Sequence, residues 1–218
     1  LLIDTIKTSN NTENIQLDTL FIFADTLVSE NSDNELVLSF HNNVKLFKGD
    51  LTSVGEFGKI FEKSEWGYLI GKPVVWFDST ELRGDSLFLR FNDKRINFLA
   101  FINNSAILSP SSIDTNWINF VISDTIKVFL DSNRVDYVLG IGKAKTSYFL
   151  KDEESGAIQL ANYASDSVKI EFVENEIESV IWLGNVDGEV IPRRIYEKNL
   201  EKYYTIPKDF LKKKLSLK

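Results

Sequence analysis

Three aspartates, Asp85, Asp124 and Asp166, recur at intervals of 39 and 42 residues. Carboxylates are the side chains best placed to do acid–base chemistry here, and glycoside hydrolysis needs two of them converging on one bond at a set separation. These three belong to a repeat, so they are expected along one line, about one unit apart. Their reading is structural: short acidic side chains that bond nearby backbone in turns before strands. Asp152, Glu153 and Glu154 precede Ser155-Gly156 and read as a solvated hairpin loop. A calcium loop would need ligands at alternating positions around a central glycine. His41 is the only histidine and stands beside Asn42-Asn43, which suits a bend rather than a triad or a zinc site. The chain has no cysteine, which removes disulfides, thiolate metal sites and cysteine nucleophiles together. GxGxxG, GxxxxGK[ST] and GxSxG are all absent, and Gly140-Ile141-Gly142 falls in a repeat bend with no helix after it. No catalytic residue, metal ligand set or cofactor is expected, and the chain reads as a non-enzyme.

The four tryptophans, Trp66, Trp76, Trp117 and Trp182, are either stacking platforms for sugar or lipid or sheet-packing residues, the second being the commoner use. A net charge of −7, from 32 acidic against 25 basic residues, argues against a nucleic-acid partner, which requires a positive field. A hydrophobic fraction of 43% allows a sizeable core. The sequence lacks methionine and opens Leu1-Leu2-Ile3, and so reads as a processed or incomplete chain. It contains no run of 18 apolar residues that would span a membrane as a helix.

The elements that position these residues emerge when the chain is compared with itself. DSLFLRFNDKRINFLAFINNSA from Asp85, DTIKVFLDSNRVDYVLGIGKAK from Asp124 and DSVKIEFVENEIESVIWLGNVD from Asp166 align without gaps over 22 positions. Each unit alternates apolar and polar residues, with Leu87, Leu89 and Phe91, then Ile126, Val128 and Leu130, then Val168, Ile170 and Phe172 on one face. Such alternation marks a strand with one buried side. The polar turns NDKR, DSNR and VENE lead into second strands from Ile96, Val135 and Ile177. These end at INN (102–104), IGK (141–143) and LGN (183–185), where Asn or Gly permits a bend or bulge. Segments 19–47 and 65–77 are diverged copies, and 51–64 is the least regular stretch. The expected fold is all-β, built from repeated antiparallel strand units that cover one another as two facing sheets or a partly open roll. Its uncapped edges would invite edge-to-edge pairing with another chain. The one helical candidate is 207–218, beginning at Pro207, with Lys208, Lys212, Lys213, Lys214 and Lys218 as contacts for anionic phosphates or as a solvated tail.

ADTL (24–27), LSFHNNVKLFKGDLTSV (38–54), GKPVVWFDSTELRGDSLFLRF (71–91) and the Asn-containing bends resemble the OstA-like proteins. This is the lipopolysaccharide-transport group that includes LptA, LptC and the periplasmic part of LptD. The resemblance covers about residues 15–192. It implies a twisted, open β-jellyroll of two sheets in a V (1–192), followed by a basic C-terminal segment (193–218). It implies a periplasmic, non-enzymatic bridge protein of outer-membrane biogenesis. Its partners would be lipopolysaccharide or a related glycolipid, and copies of itself or other bridge proteins paired through strand edges. The lipid-binding groove would be lined by Leu87, Leu89, Phe91, Ile126, Val128, Leu130, Val168, Ile170 and Phe172, with Leu99, Phe101, Val138, Val180 and Trp182 from the second strands. The residues by themselves leave open a secreted β-repeat interaction module with a closed core and no lipid.

Overall fold

Alternating apolar and polar residues become strands, but strands longer than simple hairpins require. A computed structural model describes residues 2–3, 20–93, 95–114, 117–131, 134–152, 155–174, 176–198 and 200–204. In chain order the strands are β1 (Leu2–Ile3), β2 (Leu20–Phe23), β3 (Thr26–Ser32), β4 (Glu35–Lys48), β5 (Leu51–Phe61), β6 (Trp66–Ile70), β7 (Val74–Phe77) and β8 (Thr80–Arg83). They continue as β9 (Ser86–Asn92), β10 (Arg95–Pro110), β11 (Ile118–Asp131), β12 (Arg134–Lys151), β13 (Ile158–Val173), β14 (Glu176–Leu183) and β15 (Asp187–Pro192). All pairings are antiparallel within one continuous sheet.

The long strands bend partway along, so each serves two layers. Pairing partners change at these bends: β10 pairs β9 through Arg95–Ile102 and β8 through Ala106–Leu108. The first layer therefore runs β3, β4, β5, β6, β9, β10, β11, β12, β13, β14. The second runs β1, β2, β4, β5, β7, β8, β10, β11, β12, β13, β15, using the other halves of the shared strands. At the N-terminal end β3 closes one layer and β1 the other. At the C-terminal end the last strands are β14 and β15. The described edges do not pair with one another, so the roll stays open. The fold is an all-β, jellyroll-like stack of repeated units.

The bend has a fixed local cause. Pairs of residues with positive φ sit at each corner: Asn42-Asn43, Gly71-Lys72, Asn103-Asn104, Gly142-Lys143 and Gly184-Asn185. At His41/Val44, Ile102/Ser105 and Ile141/Ala144 the ladder slips by a bulge. Asn and Gly tolerate the left-handed region at least cost, and a bulge there turns the strand. The recurring carboxylates hold these corners. Asn43 Nδ2 donates to Asp25 Oδ2 at 2.9 Å, Asn104 Nδ2 to Asp85 Oδ2 at 2.8 Å and Asn185 Nδ2 to Asp166 Oδ2 at 2.9 Å. Lys143 Nζ lies 3.9 Å from Asp124 Oδ2. Asp124 and Asp166 are thus inside β11 and β13, not in turns ahead of them, because each strand begins one layer earlier than the repeat suggests.

The stretch 51–64 is also more regular than its composition implies. It holds β5 and the turn to β6. Its glycines lower strand propensity, yet a Cβ at Gly58 would lie 2.6 Å from Leu69 Cδ2 and 3.2 Å from Phe40 Cδ2, so these side chains fill the space above a bare backbone.

After β15 the chain makes two helical turns, α1 (Arg193–Tyr196) and α2 (Leu200–Tyr203), and folds back on the outer side of the second layer. Tyr196 is fully buried with Phe149, Leu160 and Ile191. The Tyr204 hydroxyl donates to Ile118 O at 2.5 Å and accepts from Ile118 N at 3.0 Å, and Asn162 Nδ2 donates to Tyr203 O at 2.9 Å. The helix expected over 207–218 lies outside the described residues.

The corners make a direct prediction. Asn104→Ala removes the bond to Asp85 and puts a Cβ-bearing side chain without local hydrogen bonding at a φ of 49°, and should cost roughly 1.5–3 kcal/mol. Asn104→Gly keeps the backbone permissive and should cost about 1 kcal/mol less. Urea midpoints of the two variants measure the difference. Equal losses would mean the corner conformation carries no strain.

Candidate functional site

Register places the candidate groove residues on one face. Reading across the first layer, Phe40, Leu69, Leu87, Phe101, Ile126, Val168 and Trp182 form the row next to the corners. Leu38, Ile60, Leu89, Leu99, Val128, Val138, Ile170 and Val180 form the middle row. Phe91 with Ile96, Leu130 with Val135 and Phe172 with Ile177 form the third, beside the hairpin tips. All of the residues singled out in the sequence fall in these rows. The inner side of the second layer answers with Ile22, Leu46, Val75, Leu82, Ile107 and Val121, and the two layers share one core cluster.

Burial is graded across the rows. Phe101 and Ile126 are 0% exposed and Val128 is 3%, as in any closed core. Phe91, Leu130, Phe172, Val135 and Ile96 are only partly buried. Ile177 is 58% exposed. The inner face therefore surfaces along one lip of the roll and widens toward the C-terminal edge, where Val180 and Trp182 are also partly covered. Between the layers, near the lip, a void of about 10 Å³ is bordered by Leu20, Leu46, Ser53, Leu89, Phe91 and Ile96. Space of that size admits one water-sized group. Acyl chains would have to spread the layers from the lip inward.

At the C-terminal end the two layers are tied by aromatic side chains. Trp182 Nε1 donates to Thr146 Oγ1 at 3.1 Å across the gap. The Trp182 ring stacks on Tyr163 at 4.1 Å, and Tyr163 faces the bare backbone of Gly188. Tyr148 stands 6.2 Å from Trp182 and 6.4 Å from Tyr163. Burial, and then the neighbouring Tyr163, push the Tyr148 hydroxyl up to about 12 from the ordinary 10.0. Burial also raises Tyr204, against the opposing effect of its bond to Ile118.

The outer side of the first layer is a different surface. Phe61 stacks on Trp66 at 4.2 Å, Trp66 on Phe88 at 5.4 Å and Phe129 on Tyr137 at 4.2 Å, with Phe98 between Phe88 and Phe129. Stacked rings spend their faces on one another, so this ladder joins strands rather than offering a platform. Trp76 is buried and donates to Glu81 Oε2 at 3.3 Å, and Trp117 stacks on Phe149 at 4.5 Å. Three of the four tryptophans thus pack the sheet, and only Trp182 stands on the inner face.

Among the described residues no group of three His, Cys, Asp or Glu side chains could hold a metal ion. His41 packs edge-on to Phe57 at 4.7 Å. The part of the inner face that sequence comparison missed is the second layer, together with Leu36, Leu38 and Phe40 of β4, Ile60 of β5 and Leu69 of β6. The alternation in ELVLSF was the available signal for β4. For the second layer there was none, since facing is a matter of where the corners turn.

No family model and no curated protein matches the sequence. Among solved structures, the chain is similar to LptH, the LptA homologous periplasmic component of the conserved lipopolysaccharide transport device from Pseudomonas aeruginosa. That likeness has a TM-score of 0.49 and 15% identity, over 65% of this chain and 95% of LptH.

The tyrosine cluster gives a pH test. A hydroxyl whose folded pKa is raised favours the folded state below its unfolded value, and that contribution is lost as pH climbs from about 10 to about 12. Absorbance titration of phenolate should show a group of tyrosines ionising late in the folded protein, Tyr148, Tyr196 and Tyr204 among them. Tyr148→Phe should remove one phenolate from that late phase and lessen the alkaline loss of stability; an unchanged late amplitude would contradict the assignment.

Proposed function

We propose that this chain is a non-enzymatic periplasmic carrier of lipopolysaccharide or a related glycolipid. Acyl chains lie against the inner apolar face while sugar and phosphate groups stay in water. The observation that carries this reading is the burial gradient: a single apolar face, closed at the corners, comes to the surface along the lip and at the C-terminal edge. The resemblance of the sequence to the OstA-like proteins supplies the class of lipid. Each methylene moved from water to that face contributes about 0.8 kcal/mol, so several chains bind strongly once the lips part. Onward movement then needs a neighbouring face of similar affinity. The open edges suit such a neighbour, another copy or another bridge protein, because every residue of β3 is exposed and β14 carries Ile177, Ile181 and Leu183 in the open.

The small void between the layers supports a second reading, a closed interaction module that binds no lipid. Photo-crosslinking separates the two. A photoreactive residue at Leu130 or Phe172 should form adducts with lipopolysaccharide, and one at Phe129, on the outer face, should not. Adducts from neither lip position, or equally from Phe129, would refute the carrier. Leu130→Glu places a charge on the lip and should weaken lipid binding about tenfold or more.

The edge contact has its own measurement. Sedimentation velocity should show concentration-dependent oligomers that Ile181→Pro in β14 abolishes, since proline cannot donate to a ladder. Oligomers that persist in the variant would exclude pairing through β14.

A further inference from the structure

The inner face of the second layer carries one residue that its surroundings do not explain. Across β2, β4, β5, β7 and β8 the row reads Ile22, Leu46, Ser53, Val75, Leu82. Ser53 is 1% exposed and its Oγ has no hydrogen-bond partner. This is not a habit of serines in the sheet. Ser105, Ser123 and Ser165, all buried, donate to the carbonyls of Phe101, Thr125 and Ser167 at 2.8 Å, and Ser147 donates to Asn162 Oδ1 at 2.7 Å. Thr146, farther along the same row as Ser53, accepts from Trp182. Ser53 alone among these hydroxyls is orphaned, and it borders the void between the layers.

That void measures about 10 Å³, is otherwise walled by apolar side chains such as Leu46, Val75, Leu87 and Leu89, and reaches the lip at Phe91 and Ile96. It has room for one hydroxyl-sized group and not for a run of methylenes. A buried donor and acceptor without a partner is an unfavourable feature unless something completes it. We infer that Ser53 is a specificity contact for the lipid, pairing with a hydroxyl borne on an acyl chain that enters between Phe91 and the second layer. The inference rests on the carrier reading above. A chain without that oxygen leaves Ser53 unpaired, and a site built to hydrogen-bond a hydroxyl discriminates against the analogue lacking it.

Displacement of a fluorescent fatty acid from the full chain tests this, with stearic acid and a series of monohydroxystearic acids substituted at successive positions as competitors. One or two adjacent isomers should bind roughly 3- to 10-fold more tightly than stearic acid, the worth of one neutral hydrogen bond. Ser53→Ala should erase that preference and leave stearic acid affinity unchanged. Without ligand, Ser53→Ala should melt at the same temperature as the parent or higher, whereas a lower melting temperature would show that the hydroxyl serves the fold and would overturn the inference. Stearic acid binding with no preference among isomers, or a preference that survives Ser53→Ala, overturns it as well while leaving the carrier standing. Failure of every fatty acid to bind overturns both.

Discussion

The structure depends on a two-residue bend that returns once per unit. An ordinary strand of 16 or 18 residues, the length of β10 or β12, would run on as a twisted ribbon in a single layer. Here left-handed pairs such as Asn103-Asn104 turn the strand, and an aspartate from the neighbouring segment, Asp85 between β8 and β9, clasps the turn. Because the bends stack in line from one unit to the next, the sheet folds along a crease. The layering of the molecule follows from where that crease lies.

The crease decides which apolar side chains become core. Residues beside it, such as Phe101 and Ile126, meet the opposite layer and are sealed. Residues at the far end of the same strands, such as Leu130 and Phe172, are farther from the crease and remain partly open to water. One periodic pattern thus yields a stabilising core and a hydrophobic lip, with only distance from the corner separating them. The outer faces have separate means of support: a ladder of stacked rings on the first layer, and the turns α1 and α2 over part of the second.

The repeat also explains where the carboxylates stand. Asp25, Asp85 and Asp166 each hold an asparagine amide at the crease, and the 3.9 Å approach of Lys143 to Asp124 is the same device with a cation. Their regular spacing, which first draws attention to them, is the spacing of corners. Groups set one per unit along a line do not converge on a substrate atom.

Much of this was legible in the residues. Alternation identified the strands, the Asn and Gly pairs identified the bends, and the first-strand positions from Leu87 to Phe172 fell on one face because side chains alternate across a strand whatever its surroundings; Leu99, Phe101, Val138, Val180 and Trp182 came from the family resemblance. Less legible were β5, whose glycines look like a loop until Phe40 and Leu69 are seen to cover them, and the mid-strand position of Asp124 and Asp166. Local pattern by itself determined the strands of the repeated units, their bends and the face their alternating residues share. Only the tertiary structure decided that the halves of one strand belong to facing layers, that Ser53 and Leu89 border one void with the Ser53 hydroxyl unpartnered, and that the lip is open while the corner is shut. Those are relations between residues far apart in sequence, set by the direction of the crease, and no local spacing encodes them.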